Sequence, residues 1–325
     1  MTGATILGCA ETRLTPAEAR FFAQVQPWGF ILFRRNIADA GQTRALADGL
    51  RSAIGRDAPV FVDQEGGSVQ RLHPPLARHW PDARTQPGGA RAVWLRHRLM
   101  AAELRAVGID GNCAPVIDVA GPDTHAFLAR RCWSNDPARV VELGRAAAEG
   151  LLSGGVLPVI KHLPGHGAAN ADSHHALPRV SVPLADLEMR DFLPVRALSD
   201  MPLGMTAHVL YSALDDAAPG TVSAKVIAHL RLALGFDGLL MTDDIGMGAL
   251  GGAMNARAAA ARAAGCDIVL HCSGDLEEMA AVAEGSGLLS GAAAHRAQRA
   301  LAARINPEAI DIAALEAEFE GLTGE

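Results

Sequence analysis

Apolar and polar positions alternate along this chain in one recurring device: an amphipathic stretch, a glycine, then a short apolar run. It occurs at 29–33, 108–113, 155–160, 235–241 and 265–270. A glycine after a helix is expected because the position past the last turn takes up the left-handed conformation, which a Cβ penalises. Further apolar runs lie at 5–8, 59–62 and 202–206, which brings the predicted strands to eight. Between them, apolar residues recur three or four apart at 40–54, 90–107, 137–153, 223–234, 253–264 and 276–283, the period of a helix with one buried face. Asp136-Pro137 places a cap before a first-turn proline, and Ser223 is a second cap. Strands alternating with helices imply parallel pairing through right-handed crossovers. Eight such units predict a closed α/β barrel of the (β/α)8 TIM type, with an open doubly wound sheet as the alternative. Residues 1–325 form one domain in this reading, and about 292–325 make a helical tail.

Composition narrows the function more than the fold. Hydrophobic residues make up 49% of the 325 positions but aromatics only 4%, so Ala, Leu and Val must build the core. A net charge of −7 argues against nucleic acid or an anionic membrane as partner. No apolar run nears the roughly 18–20 residues of a membrane span. Residues 1–8 have neither a basic head nor a long apolar segment, so no secretion signal is expected. The five cysteines, Cys9, Cys113, Cys132, Cys266 and Cys272, form no C-x-x-C pair, which fits reduced thiols in a cytoplasmic protein. Neither G-x-G-x-x-G nor the phosphate-loop pattern is present, and no cofactor is expected.

The chemistry gathers where strands end. After the run 156–160 comes K-H-L-P-G-H-G-A-A-N-A-D-S-H-H, from Lys161 to His175. Other strand ends carry Asp63-Gln64-Glu65-Gly66-Gly67 with Arg71 beyond, Thr206-Ala207-His208, and Thr242-Asp243-Asp244. Titratable groups lose hydration in such places and need partners, so they are rarely gathered there for stability alone. In α/β barrels the carboxyl ends of the strands are where ligands bind. Two chemistries fit. His162, His166, His174, His175, His208 and Asp243 could hold a metal that activates water. Alternatively, a carboxylate attacks an electrophilic carbon while an imidazole moves the proton. The first strand has no H-x-H, which favours the metal-free reading. Asp244 and Asp118 are expected to fix turns, His166 and His175 to pack the loop, and His208 either to line or to support the site. Gly165 and Gly167 are expected to serve as hinges for the 164–180 loop.

K-H-L-P-G-H-G, then D-S-H, then T-D-D-I-G-M resembles the family 3 glycoside hydrolases, and more narrowly their single-domain bacterial β-N-acetylhexosaminidases that recycle peptidoglycan fragments. G-F-I-L-F-R-R-N (29–36), 63–71, N-C-A-P-V-I-D-V (112–119), 131–137 and M-T-A-H-V (205–209) follow in the family's order. The resemblance implies that Asp243 is the nucleophile, His174 the general acid/base and Asp172 the carboxylate that orients it. It implies that Asp63, Arg71, Arg131, Lys161 and His162 hold the nonreducing-end sugar, with no metal. The expected partner is a small carbohydrate, a muropeptide fragment, and the expected state a monomer. Leu163 stands where Phe is usual, Cys132-Trp133 where Ser-Phe is typical, and Gly246 where Ser is frequent; these departures bear on fine specificity.

Overall fold

The computed structural model describes residues 1–169, 177–307 and 309–324. Eight parallel strands form the barrel: β1 Gly3–Leu7, β2 Pro27–Leu32, β3 Val60–Val62, β4 Gly111–Asn112, β5 Leu157–Leu163, β6 Leu203–Thr206, β7 Leu239–Met241 and β8 Val269–His271. They pair in the order β7-β6-β5-β4-β3-β2-β1-β8. A parallel bridge from Met241 to Ile268 closes the ring. The (β/α)8 expectation holds, and the open sheet is set aside.

A helix follows every strand: α1 Pro16–Val25, α2 Ala40–Ile54, α3 Gly89–Ala106, α4 Pro137–Ser153, α5 Leu193–Ala197, α6 Ala224–Leu232, α7 Met254–Ala264 and α8 Leu276–Ser286. The caps act as their chemistry requires. Asp136 Oδ1 accepts the Ala138 N–H at 3.0 Å, and Ser223 Oγ accepts the Val226 N–H at 3.2 Å. Of the five glycines read as helix ends, Gly108, Gly155, Gly235 and Gly265 have positive φ. Gly29 does not; it lies inside β2, where an added Cβ would sit 3.0 Å from the Pro59 carbonyl oxygen. Helix α1, which the apolar period did not bring out, starts with a reciprocal Thr15–Glu18 capping box and ends at Gln26, itself at φ 51°.

Side chains fill the barrel's interior. Ile6, Trp28, Phe61, Leu157, Leu203, Leu239 and Ile268 form a cluster with Ala297 and Ala300 of α9, Gly291–Ala302, beneath it. A larger cluster lies between strands and helices. The tail contains α9 and α10, Ile312–Thr323, and Phe319 of α10 packs edge-on against Trp80. With its lower end packed, the barrel is open to a ligand at the carboxyl end of the strands. Among the described residues, no helix is long and apolar enough to cross a membrane.

Candidate active site

A cavity of about 250 Å3 opens at that end. Asp63 follows β3, Lys161 and His162 belong to β5, and Asp243 stands two residues beyond β7; all four line it. Lys161 and His162 are consecutive, yet both reach the cavity; the peptide joining them is cis. Arg71 comes from the hairpin after β3, and Arg131 from the segment between β4 and α4. Phe33, Met205, Met247, Leu270 and Cys272 supply less polar wall. All five residues expected to hold sugar are therefore brought together with Asp243. His174 and Asp172 lie outside the described residues, as does His175.

The charges alternate along one chain of contacts. Arg71 Nη2 lies 3.3 Å from Asp63 Oδ2, and Lys161 Nζ lies 2.9 Å from Asp63 Oδ1. The same ammonium lies 2.6 Å from Glu65 Oε1, and Arg131 grips Glu65 with two parallel bonds of 2.8 and 2.9 Å. Burial would raise the Asp63 and Glu65 carboxyls, but the cations beside them hold both below the usual carboxylate range. Burial likewise opposes a charge on Lys161 and Arg131, and the facing carboxylates overcome it, raising both. Neither arginine is a loose surface ion pair.

Glu65 was not singled out from the sequence. The signal was present: in an extended segment Asp63 and Glu65, two apart, face the same side. Asp118 does more than fix a turn. One oxygen lies 2.7 Å from His162 Nδ1, and the other accepts the backbone N–H of His166 at 2.7 Å. Arg131 Nη2 also lies 3.5 Å from His162 Nε2.

Asp243 lines the same cavity. Its Oδ1 accepts the Asp244 N–H at 2.8 Å. Burial pushes its carboxyl up, but His162, His208, that N–H and Lys161 together bring it below its ordinary value, so it is ionised at neutral pH. His208 supports and does not line the cavity. Its Nε2 donates to the Asp244 carbonyl at 2.9 Å and its Nδ1 lies 2.7 Å from Thr221 Oγ1, while burial lowers its pKa. Asp244 anchors its turn as expected, accepting the Gly246 N–H at 3.0 Å, and it also lines the cavity. Among the described residues, no three His, Cys, Asp or Glu side chains converge as metal ligands.

The hinge expectation for Gly165 and Gly167 is corrected. A Cβ on Gly165 would sit 2.7 Å from the Asp191 carbonyl oxygen, and one on Gly167 would sit 1.9 Å from that of Val119. Tyr211 donates its hydroxyl to the Gly165 carbonyl at 2.8 Å, and Thr124 donates to that of Gly167. These glycines permit close backbone approach, and the neck of the loop is pinned. Asp191 is part of that neck. Its side chain is 1% exposed, and burial pushes its carboxyl up to about 6 despite Arg190 at 3.0 Å. The folded protein thus binds this proton more tightly than the unfolded chain, and stability falls as pH rises from about 4 to about 6. Asp191→Asn is expected to raise stability by about 1–3 kcal/mol at pH 7.5, the gain shrinking as pH approaches 4. Urea unfolding at the two pH values measures it, and a gain that does not depend on pH would contradict this account.

Comparisons with known proteins converge on one family. Residues 7–303 match the glycosyl hydrolase family 3 N-terminal domain. The chain is 38% identical over 317 residues to a β-hexosaminidase of Methylococcus capsulatus, covering 95% of this chain and 93% of that one. It is 37% identical over 290 residues to a β-hexosaminidase of Alkalilimnicola ehrlichii, covering 84% of this chain and 81% of that one. The structure of NagZ from Neisseria gonorrhoeae in complex with N-trifluoroacetyl-D-glucosamine superposes with a TM-score of 0.85 at 29% identity, covering 99% of this chain and 98% of that one. With a barrel whose mouth gathers Asp63, Arg71, Arg131, Lys161, His162 and Asp243, this chain is a glycoside hydrolase and belongs to glycosyl hydrolase family 3.

Proposed function

We propose that this enzyme is a retaining exo-β-N-acetylglucosaminidase that removes nonreducing-end GlcNAc from peptidoglycan fragments, GlcNAc-1,6-anhydro-MurNAc with or without its peptide. The observation that carries the reading is an Asp243 carboxyl, held below its ordinary pKa, that shares one small cavity with a cluster of cations and carboxylates. Hydrogen-bonding groups of both signs suit a ring of hydroxyls. A volume of about 250 Å3 lies below the roughly 300–1,000 Å3 of drug-sized pockets, which suits one sugar ring and exo action. The relatives' β-hexosaminidase names and the N-trifluoroacetyl-D-glucosamine complex of the Neisseria structure support the acetamido sugar. Five free thiols support a cytoplasmic location.

In this mechanism Asp243 Oδ1 stays bonded to the Asp244 N–H while Oδ2 attacks the anomeric carbon. The bond to the leaving oxygen breaks as His174, oriented by Asp172, protonates it. His174 then takes a proton from water, which attacks the same carbon and releases Asp243. Two inversions return the β configuration.

Aryl β-GlcNAc and aryl β-glucoside compared side by side, with and without chelator, test the class. Chelator-insensitive cleavage of the first is expected. A preference for the glucoside, or loss with chelator, would overturn it. For His174→Ala, a substrate with a good leaving group should lose less rate than the natural disaccharide, because an aryl oxide needs little protonation. Equal losses would remove the acid role.

A further inference from the structure

The turn that carries Asp243 lies along β8. Thr242 N–H donates to the Ile268 carbonyl at 3.0 Å and Ile245 N–H to that of Leu270 at 2.9 Å. The Thr242 hydroxyl accepts the Leu270 N–H at 3.0 Å. Asp244 is the staple in the middle of this turn. Its N–H holds Asp243 Oδ1, its carbonyl takes the His208 proton, and its Oδ1 accepts the N–H groups of Gly246 and, at 3.3 Å, Cys272.

One more group meets that carboxylate. The last residue of β8, His271, is 1% exposed; its Nδ1 lies 3.6 Å from Asp244 Oδ1, beyond hydrogen-bond distance, and has no hydrogen-bond partner among the described residues. Its Nε2 faces Ser273 Oγ at 2.9 Å and Glu278 Oε2 at 3.2 Å. Nδ1 is thus a buried polar atom whose near neighbour is a carboxylate oxygen. Gly246 leaves the room: a Cβ there would lie 3.3 Å from Asp244 Oδ1 and 3.6 Å from His271 Cε1.

We infer that His271 is a positioning residue of the glycoside-cleaving reaction, holding the Asp244 carboxylate and through it the orientation of Asp243. The inference rests on the reading of Asp243 as nucleophile. It places an imidazole outside the cavity in control of a carboxylate inside it, which is a role for a buried histidine that the sugar contacts leave unused.

The test uses the whole enzyme and an aryl β-GlcNAc. His271→Ala is expected to lower kcat about 10-fold by misplacing the attacking oxygen, with KM changed less than about twofold. In His271→Asn the amide nitrogen stands where Nδ1 stood, and kcat should return to within about threefold of the parent. A packing role alone would lower the melting temperature and would give Asn no advantage in kcat. Unchanged kcat in His271→Ala, or an Asn variant no better than Ala, overturns the inference. Should His271→Ala not fold, His271→Leu fills the same space without a nitrogen. A kcat below that of His271→Asn supports the inference, and a kcat equal to it overturns it. Asp243→Ala separates the two levels. Retained turnover in that variant sinks the nucleophile reading itself, whereas its loss beside a normal His271→Ala sinks only the positioning role.

Discussion

Asp243→Ala is expected to lower kcat on an aryl β-GlcNAc by about 10^4-fold or more while KM stays within about threefold. The asymmetry follows from where the group acts. Asp63, Arg71, Arg131, Lys161 and His162, the residues proposed to hold the sugar, remain in the cavity, so ground-state binding should survive. What disappears is the oxygen that forms the bond, and its contribution exists only in the transition state. Asp243→Asn should be nearly as inactive, because the amide still accepts the Asp244 N–H but does not attack. Labelling with a 2-acetamido-5-fluoro glycoside and mass spectrometry should find the sugar on Asp243 in the parent and on nothing in either variant. A label on another residue, or a rate within tenfold of the parent, would remove Asp243 as nucleophile. Because the Asp243 carboxyl is held below its usual pKa, its protonation should limit activity only at pH values below the ordinary aspartate range.

Glu65→Ala is expected to damage both stability and binding. Glu65 is 7% exposed on its side chain and holds Arg131 and Lys161, which are 9% and 3% exposed. Its removal leaves three cations, with Arg71, facing Asp63 alone within that chain of contacts. Breaking a buried pair by deleting one partner costs about 3–5 kcal/mol, since the other charge stays desolvated. In a chain of this size that corresponds to a melting temperature lower by roughly 4–7 °C. KM for the aryl substrate should rise about tenfold or more, because the freed cations no longer stand where they are proposed to meet the sugar. Glu65→Gln keeps one acceptor and the shape, and should fall between parent and Ala. Unchanged melting and unchanged KM in Glu65→Ala would reduce the network to decoration. The pH dependence has a definite sign. Carboxyls with depressed folded pKa values stabilise the fold above their unfolded values and lose that contribution as pH falls through the folded ones. The acid-side loss of stability should therefore be shallower in Glu65→Ala than in the parent.

Local signals made most of the architecture legible. Helix α2 and helix α4 begin and end where the apolar period and their caps place them, since Asp39 accepts the Gln42 N–H and Asp136 that of Ala138. Capping and periodicity act over three or four residues, and such interactions are written in adjacent positions. Helix α1 went unread although it carries a capping box, and α5 is five residues long, so the period had little to register there.

Strand ends were legible for the same reason: an apolar run that stops at Asp63, Lys161 or Asp243 says where the barrel's mouth is. Which residue faces which was not. The contact of Asp63 with Lys161 spans 98 residues, that of Glu65 with Arg131 spans 66, and that of Asp118 with His162 spans 44. No local pattern encodes such pairings, because closure of the barrel sets them by bringing β3, β4 and β5 side by side. Gly165 and Gly167 make the same point. A glycine in a loop has the same letter whether it bends or merely admits a neighbour, and only the backbone of Asp191 and Val119 beside them decides for the second. Sequence alone therefore determined the elements and the kind of chemistry. Tertiary structure decided the charge pairing, because electrostatic partners are chosen by distance in space and by the water that burial removes.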